Sequence, residues 1–242
     1  MNGLHVVPVE GLREIREGDD VAALIADAAE LEDGDVLVVA HKIISKAEGR
    51  VVRLADVEPS QQARELAGDD DPRHVETILR ESTRIVRVRG SFVIAETRQG
   101  FVCASAGVDA SNAPAAGTLV LLPEDADASA RRIRDRLRDL TGRTVAVIVS
   151  DSFGRPWRQG TTDVAIGVAG LAPLLDLRGS HDAAGYVLRS TEIAVADELA
   201  GTAELVMGKA RRVPAAVIRG FEPDGDGTAR ELILPPERDL FR

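Results

Sequence analysis

Apolar and polar positions alternate along the chain in patterns that predict a mixture of strands and helices. Continuous aliphatic runs at Val36–Ala40 and 144–149 are typical of fully buried strands. Shorter runs predict further strands at 4–8, 84–88, Phe92–Thr97, 101–105, 119–122 and 214–218. Helical spacing or composition predicts helices at 21–31, 60–66, 73–80, 128–140 and 191–206. No internal repeat is visible, and no linker divides the chain before residue 221.

The predicted helix at 128–140 has one apolar side and one strongly charged side. Ile133, Leu137 and Leu140 form an apolar stripe, and five arginines lie around it. Asp135 and Asp139 interleave with these arginines, which favours a solvated, charge-balanced surface. An anion-binding site is the alternative interpretation of the same pattern.

Composition adds that the core is aliphatic and free of disulfides. Hydrophobic residues make up 44% of the 242 positions but aromatic residues only 3%, so aliphatic side chains must fill the interior. The single cysteine, Cys103, falls within an apolar alternation and is predicted to be a core residue in a reducing compartment. Residues 1–8 lack the pattern of a signal peptide, and no apolar run is long enough to span a membrane. A cytoplasmic location is the expectation.

The charge of the chain disfavours polyanionic partners. A net charge of -10 would repel nucleic acid and acidic membrane surfaces, so small anionic ligands would need local basic pockets. Of the 30 basic residues, only Lys42, Lys46 and Lys209 are lysines. Lys42 and Lys46 are candidates for a role that needs a compact ammonium group, although two solvated lysines would give the same sequence.

Familiar nucleotide and zinc motifs are missing from the sequence. There is no GxxxxGK[ST] loop and no GxGxxG turn, the four histidines lack zinc-ligand spacing, and one cysteine cannot form a thiolate cluster. Oxygen-rich segments instead follow two predicted strands, at 107–112 and 150–155. Hard cations such as Mg²⁺ and Mn²⁺ prefer oxygen ligands, so Asp109 and Asp151 are predicted metal ligands. Taken alone, an aspartate that follows a strand is more often a turn former or helix cap.

Cationic and amide side chains lie close to both aspartates in the sequence. Arg155, Arg158 and Gln159 follow Asp151, and Asn112 follows Asp109. Such groups suit a site where negative charge develops on transferring phosphates. Arg155 is the predicted catalytic member of this set, with a structural ion pair as its alternative role.

Several ordered segments together resemble one enzyme family. They are the sequences LREI at 12–15, SKAEGR at 45–50, GVDASN at 107–112, DSFGRPWRQG at 151–160 and TEIAVADE at 191–198. In these segments the chain resembles the coenzyme F420-0:L-glutamate ligase family, including the ligase part of its fused actinobacterial members. The similarity runs in order from about residue 6 to residue 221, so it is far more specific than any single motif.

The resemblance implies a fold, a reaction and a set of ligands. Family members are similar in having an α+β fold, with mixed sheets and flanking helices, in an intertwined homodimer. They use GTP and a divalent cation, Mg²⁺ or Mn²⁺ with K⁺ as a further candidate, to join L-glutamate to the phospholactyl side chain of coenzyme F420-0 as a γ-glutamyl amide, with release of GDP. An acyl phosphate would activate the carboxylate, and no nucleophilic side chain would be needed. The expectation is a ligase domain at 1–223 and a tail or linker at 224–242, which resembles the connection to a flavin reductase domain in fused relatives.

Site residues follow from the same resemblance, position by position. Asp109 and Asp151 look like ligands of one metal ion, and Ser152 looks like a ligand of a second. Lys46 and Arg155 are the expected catalytic residues. The expected nucleotide contacts are Leu12, Arg13, Glu14, Ile15, His41, Lys46, Asn112, Met207, Gly208 and Lys209.

Two positions depart from the family pattern. His41 lies where many relatives carry a small hydroxyl residue, and Lys209 lies where several carry a carboxylate or amide near the second metal. The Lys209 ammonium could replace part of the charge of a cation, or Lys209 could be a surface residue. If it replaces that charge, mutating Lys209 should raise the metal demand of the reaction.

Two other functions fit the same residues. A metal-dependent phosphatase or nucleotide hydrolase would direct water, instead of an amine, with the same carboxylates and arginines. A non-catalytic protein that binds a nucleotide or a deazaflavin is the second alternative. Glutamate-dependent turnover distinguishes the ligase from both.

Overall fold

The computed structural model describes residues 3–240, which form twelve strands, six α-helices and four short 3₁₀-helices. The strands are β1 His5–Pro8, β2 Val36–Ala40, β3 Val51–Arg53, β4 Ser82–Arg89, β5 Phe92–Thr97, β6 Val102–Ala104, β7 Thr118–Val120, β8 Ala146–Arg155, β9 Arg158–Ala169, β10 Leu175–Asp176, β11 Glu192–Ile193 and β12 Ala215–Arg219. The helices are α1 Val21–Ala28, α2 His41–Ala47, α3 Gln61–Ala67, α4 Pro72–Glu81, α5 Ala126–Thr141 and α6 Val195–Met207. This mixture of helices and sheets agrees with the expected α+β class.

A five-stranded sheet in the order β1-β12-β2-β8-β9 organises most of the core. Strands β2 and β8 run parallel, with Ala40 opposite Ser150, and the other pairings are antiparallel. Alternate residues of β2 enter two separate apolar clusters. Leu37 and Val39 face the cluster that contains residues of α1 and α5, whereas Val36 and Val38 face the cluster that contains residues of α6. The continuous apolar run of β2 therefore reflects burial on both faces of the sheet.

A second, smaller β-region lies beyond α2. It contains the three-stranded sheet β4-β5-β6 and the ribbon β3-β7, and its core includes Val93, Ala95 and Leu119. Cys103 in β6 is buried, as predicted, and burial together with the nearby Asp151 charge raises the pKa of its thiol to about 12. No helix within residues 3–240 combines the length and the apolar character that crossing a membrane requires.

The structure corrects four of the local predictions. Strand β8 does not end at residue 149 but continues to Arg155, and β9 pairs with it as a long hairpin. Helix α2, which follows β2 directly, was not predicted, because it has only seven residues and no side-chain N-cap. Helix α6 begins at Val195 rather than at 191, since residues 192–193 form β11. Leu140 is 42% exposed, so the buried stripe of α5 contains Ile133 and Leu137 alone among the three predicted residues.

The segment predicted to be a tail packs against the sheet and α5. The backbone N–H of Ala229 donates to the carboxylate of Asp127 at 2.9 Å, and Ala229 is buried. Asp226 accepts a hydrogen bond from the backbone of Gly170, and Leu232 packs on the α6 side of the core. Residues 1–2 and 241–242, at the outer ends of the two predicted segments, lie outside the described residues.

Candidate functional site

A cavity of about 670 Å³ opens where β2 and β8 end side by side. Its walls come from the segment after β1, the start of α2, the β8–β9 hairpin and the chain after α6. Ten residues predicted to contact a nucleotide all line this cavity: Leu12, Arg13, Glu14, Ile15, His41, Lys46, Asn112, Met207, Gly208 and Lys209. Asp151 and Ser152 also line it, whereas Asp109 lies beside it and Arg155 lies away from it. The fold thus brings together segments separated by up to about two hundred positions.

Helix α2 supplies one wall because the chain turns into a helix immediately after β2. Its residues His41 and Ser45 are one helical turn apart, and His41 Nδ1 lies 3.2 Å from Ser45 Oγ. The other ring nitrogen, Nε2, is buried and makes no hydrogen bond within residues 3–240, although Asp151 Oδ1 lies 3.3 Å away. Lys46, also buried, donates to Glu14 Oε1 at 2.5 Å. An imidazole and an ammonium group therefore face the cavity from one short helix.

Lys42 connects this wall to Asp109. Its ammonium group donates to Asp109 Oδ2 at 2.5 Å and to Ser111 Oγ at 2.7 Å. Burial raises the pKa of the Asp109 carboxyl, but the hydrogen bonds from Lys42 and the Ser111 backbone outweigh it and hold that pKa near 2. Lys209 Nζ lies 3.9 Å from the same oxygen, with its side chain 59% exposed. Asp109 is therefore ionised, with the Lys42 ammonium group in contact and the Lys209 ammonium group nearby.

The opposite wall is formed by a network of hydroxyls and carboxylates on the β8–β9 hairpin. Asp163 on β9 lies opposite Ser152 on β8, and it accepts hydrogen bonds from Ser152 Oγ at 2.7 Å and Ser150 Oγ at 2.9 Å. Asp163 and Ser150 are buried, while Ser152 is partly exposed. Asp151 Oδ1 accepts a hydrogen bond from the backbone N–H of Ser152 at 2.8 Å. Within residues 3–240, neither Asp151 nor Asp163 forms an ion pair with a lysine or arginine.

This network contains oxygen donors of the type that hard divalent cations bind. Asp151 and Ser152 offer oxygen donors on the cavity side, and no lysine or arginine among the described residues pairs with the Asp151 carboxylate. No group of three histidine, cysteine, aspartate or glutamate side chains in residues 3–240 is arranged to hold a metal ion. Mg²⁺ commonly binds through one or two carboxylates, with water and phosphate oxygens as its other ligands. Asp109 fits this less directly, because Lys42 already contacts its carboxylate.

Arg155 is the one predicted catalytic residue that the fold separates from the cavity. It lies four residues beyond Asp151 in an extended strand, which corresponds to about 13 Å. Its guanidinium donates to the backbone oxygen of Gln159 at 3.1 Å, across the end of the hairpin. Because the strand was predicted to end at residue 149, Arg155 was expected to lie closer to Asp151 than it does. Its catalytic role stays a prediction.

The cavity residues that the sequence analysis did not single out include Asp163 and Arg212. Asp163 reaches Ser152 only through the register of the β8–β9 hairpin, and that register cannot be predicted without the extension of β8. Arg212 lines the cavity with a backbone φ of +58°, which is uncommon for a residue other than glycine. Its side chain has no hydrogen bond or ion pair within the described part of the chain. The sequence signal for Arg212 was its position shortly after the 207–209 segment.

Comparisons with known proteins agree with the resemblance. The family model described as F420-0:Gamma-glutamyl ligase matches residues 11–220. The coenzyme F420:L-glutamate ligase of Methanopyrus kandleri is 51% identical over 247 aligned positions, covering 99% of this chain and 98% of the relative. The enzyme with the same name from Methanothermobacter thermautotrophicus is 47% identical and covers 99% of both chains. The chain therefore belongs to the F420-0:gamma-glutamyl ligase family.

Proposed function

We propose that this protein joins L-glutamate to coenzyme F420-0 through an amide bond, with GTP as the energy source. The observation that carries the proposal is end-to-end similarity: the relative from Methanopyrus kandleri, 51% identical over nearly the whole of both chains, is named a coenzyme F420:L-glutamate ligase. The cavity supports it, because all ten residues expected to contact the nucleotide line one space. The protein acts in the cytoplasm as a homodimer under this proposal.

The basic residues of the cavity would hold the GTP phosphates. Lys46 and Lys209 line the cavity with Arg212. Among the described residues, Lys46 pairs with Glu14 at 2.5 Å, Lys209 lies 3.9 Å from Asp109, and Arg212 forms no ion pair. Cationic side chains in a site shielded from water stabilise the charge that shifts between phosphate oxygens during transfer. Arg212, which was not predicted as a contact, lines the same cavity and would add a further cation for these phosphates.

Asp151 and Ser152 would hold a divalent cation, Mg²⁺ or Mn²⁺, with Asp109 close by. When bound, such a cation supplies positive charge to phosphate oxygens. The charges of Asp151 and Asp163 create the demand for it, since no lysine or arginine among the described residues neutralises them. K⁺ is a further candidate ion for the nucleotide region.

The reaction itself divides into two substitutions. First, a carboxylate oxygen of the phospholactyl group attacks the γ-phosphorus of GTP, the bond to the β-phosphate oxygen breaks, and GDP leaves. Second, the amine of glutamate attacks the acyl carbon, inorganic phosphate leaves, and the amine nitrogen loses a proton. The protein contributes by holding the reactants together and by excluding water, which would otherwise hydrolyse the acyl phosphate.

Mass spectrometry of the deazaflavin precursor tests the proposal. The purified protein is incubated with coenzyme F420-0, GTP, Mn²⁺ and L-glutamate, and Asp151→Asn serves as the inactive control. We expect mass increments of one glutamate residue, formed with one GDP each, and no increments with the variant.

The other outcomes identify the alternatives. Loss of GTP without a glutamate adduct would contradict the ligase and favour a nucleotide hydrolase. Binding of GTP or the precursor without any turnover would favour a non-catalytic binding protein. Equal rates with ATP would overturn the choice of GTP alone.

A further inference from the structure

The carboxylate of Asp163 has no assigned role, and its surroundings are unusual for a structural group. It is 5% exposed, it lines the cavity, and it carries a negative charge that no lysine or arginine among residues 3–240 pairs with. Its hydrogen-bond donors are the hydroxyls of Ser150 and Ser152. A buried charge satisfied only by neutral donors is costly unless it serves the site.

The hydrogen bond to Asp163 determines the direction of the Ser152 hydroxyl. A serine hydroxyl has one proton and two lone pairs. Because Ser152 gives its proton to Asp163 Oδ1 at 2.7 Å, its lone pairs are left for an electron-poor group on the cavity side. A hydroxyl that pointed its proton into the cavity would repel a cation. Asp163 therefore determines whether Ser152 can act as a cation ligand.

A second observation indicates that a ligand belongs here. His41 Nε2 is buried, makes no hydrogen bond to any described residue and lies 3.3 Å from Asp151 Oδ1, on the cavity side of the same network. Within the described residues, no three side chains of the usual metal-ligating types cluster together. A cation at Asp151 therefore depends strongly on the orientation of each remaining oxygen donor.

We propose that Asp163 is a positioning residue that orients the Ser152 hydroxyl for a divalent cation. The proposal rests on the metal-dependent ligase proposed above. Asp163 acts through Ser152 and does not bind the cation itself, because each of its oxygens accepts a serine hydroxyl and the carboxylate is more buried than Ser152.

The isosteric variant Asp163→Asn would turn the proton of the Ser152 hydroxyl toward the cavity. An amide has one oxygen acceptor for two serine donors. Ser150 is fully buried, so leaving its hydroxyl without an acceptor costs more than redirecting that of Ser152. The amide oxygen then faces Ser150, its NH₂ donates to Ser152 Oγ, and the Ser152 proton turns toward the cavity.

Mn²⁺ titration, followed by electron paramagnetic resonance of the free ion, measures the effect without substrates. We expect Asp163→Asn to weaken Mn²⁺ binding 10- to 100-fold, the range typical of residues that orient metal ligands. Ser152→Ala should weaken binding to a similar degree. The double variant should bind no more weakly than Ser152→Ala alone, because Asp163 has no other route to the cation. Thermal unfolding of each variant confirms that it is folded.

A matched control is available on α6. Asp197 is another partly buried carboxylate beside β9, where it accepts a hydrogen bond from the backbone of Ala165, and it lies outside the cavity lining. Asp197→Asn should leave Mn²⁺ affinity within twofold of the wild type. An equal loss in this control would show a general charge effect and overturn the proposal.

Three further results would also overturn it. The fold losses of Mn²⁺ affinity in the two single variants could multiply in the double variant, which would make Asp163 an independent ligand. Asp163→Asn could bind Mn²⁺ as tightly as the wild type. The wild type could bind no Mn²⁺, and the divalent-cation part of the proposed function would then fail with the inference. Absence of glutamate addition by a protein that binds Mn²⁺ would instead count against the ligase alone.

Discussion

Carboxylates at the two ends of the central sheet differ in their ion pairing. Where β2 and β8 begin, buried Asp35 pairs with Arg219 through two hydrogen bonds of 2.8 and 2.9 Å. A second cavity, of about 830 Å³, opens there, and the Arg219 guanidinium also pairs with Glu32 at 2.7 Å. Where β2 and β8 end, Asp151 and Asp163 lack a lysine or arginine partner in the described residues. A carboxylate paired with an arginine indicates a structural role at one end. Carboxylates without a lysine or arginine partner among the described residues indicate a ligand at the other.

Strand register brings the polar residues together at both ends of the sheet. Asp35 immediately precedes β2, and Arg219 ends the neighbouring antiparallel strand β12, so the register of two apolar strands brings them together. The register of the β8–β9 hairpin does the same for Ser152 and Asp163. In both places hydrophobic strands determine the alignment, and the chemistry depends on which polar types occupy the ends.

The largest expected effect is on activity, from Asp151→Asn. Removing the charge should lower the rate of glutamate addition at least 100-fold, because an electrostatic contribution to the transition state is lost. The midpoint of thermal unfolding should stay the same or rise, since no lysine or arginine in the described part of the chain pairs with this carboxylate. Rate assays and thermal unfolding on the same samples check both expectations. A variant that retained more than a tenth of the wild-type rate would contradict the proposed role of Asp151 in the reaction.

The same substitution at the other end, Asp35→Asn, should affect stability instead. It breaks a pair in which Asp35 is 1% exposed and Arg219 is 35% exposed. We expect a loss of about 3 kcal/mol in the free energy of unfolding, at the low end for buried pairs because water reaches Arg219. Denaturant unfolding measures it, and the rate per folded molecule should equal that of the wild type. A stable variant with reduced turnover would contradict the distinction between the two ends.

A third prediction concerns pH and a paired carboxylate far from the cavity. Hydrogen bonds from the side chain and backbone of Ser60, together with Arg80, lower the pKa of Glu76 from 4.5 to about 2. This contribution is fully present above pH 4.5 and is lost as the pH falls toward 2. Wild type should therefore exceed Glu76→Gln by about 2 kcal/mol in unfolding free energy at neutral pH.

Denaturant unfolding across this pH range provides the measurement for Glu76. Glu65→Gln, at an exposed position of α3, is the matched control and should show little change with pH. A stability difference between wild type and Glu76→Gln that persisted at pH 2 would show that the hydrogen bonds do not depend on the carboxylate charge.

The smallest expected effect tests the arginines of α5. Arg136 pairs with Asp20 at 2.9 Å, and both side chains are nearly half exposed. Arg136→Ala should change the unfolding free energy by about 0.5 kcal/mol or less, and by less still in high salt. Denaturant unfolding at two salt concentrations would check this. A loss above about 1 kcal/mol would give this surface pair more weight than exposed pairs normally have.

Local patterns predicted most elements but missed those that shape the site. The strand Val36–Ala40 and the hairpin around residues 84–105 were found because their apolar periods are long and unambiguous. Helix α2 was missed because seven residues without a cap give little local signal. The end of β8 was misplaced because polar residues and a glycine at 150–154 resemble a loop, although pairing with β9 keeps them extended.

The sequence by itself determined the apolar strands, the aliphatic core and the family, because these depend on residue types and their order along the chain. Only the tertiary structure decided that ten predicted contacts share one cavity, that Arg155 lies outside it and that Asp163 meets Ser152. These outcomes depend on strand register and on the direction of each side chain. Both are fixed by contacts between segments far apart in the chain, and no local pattern encodes such contacts.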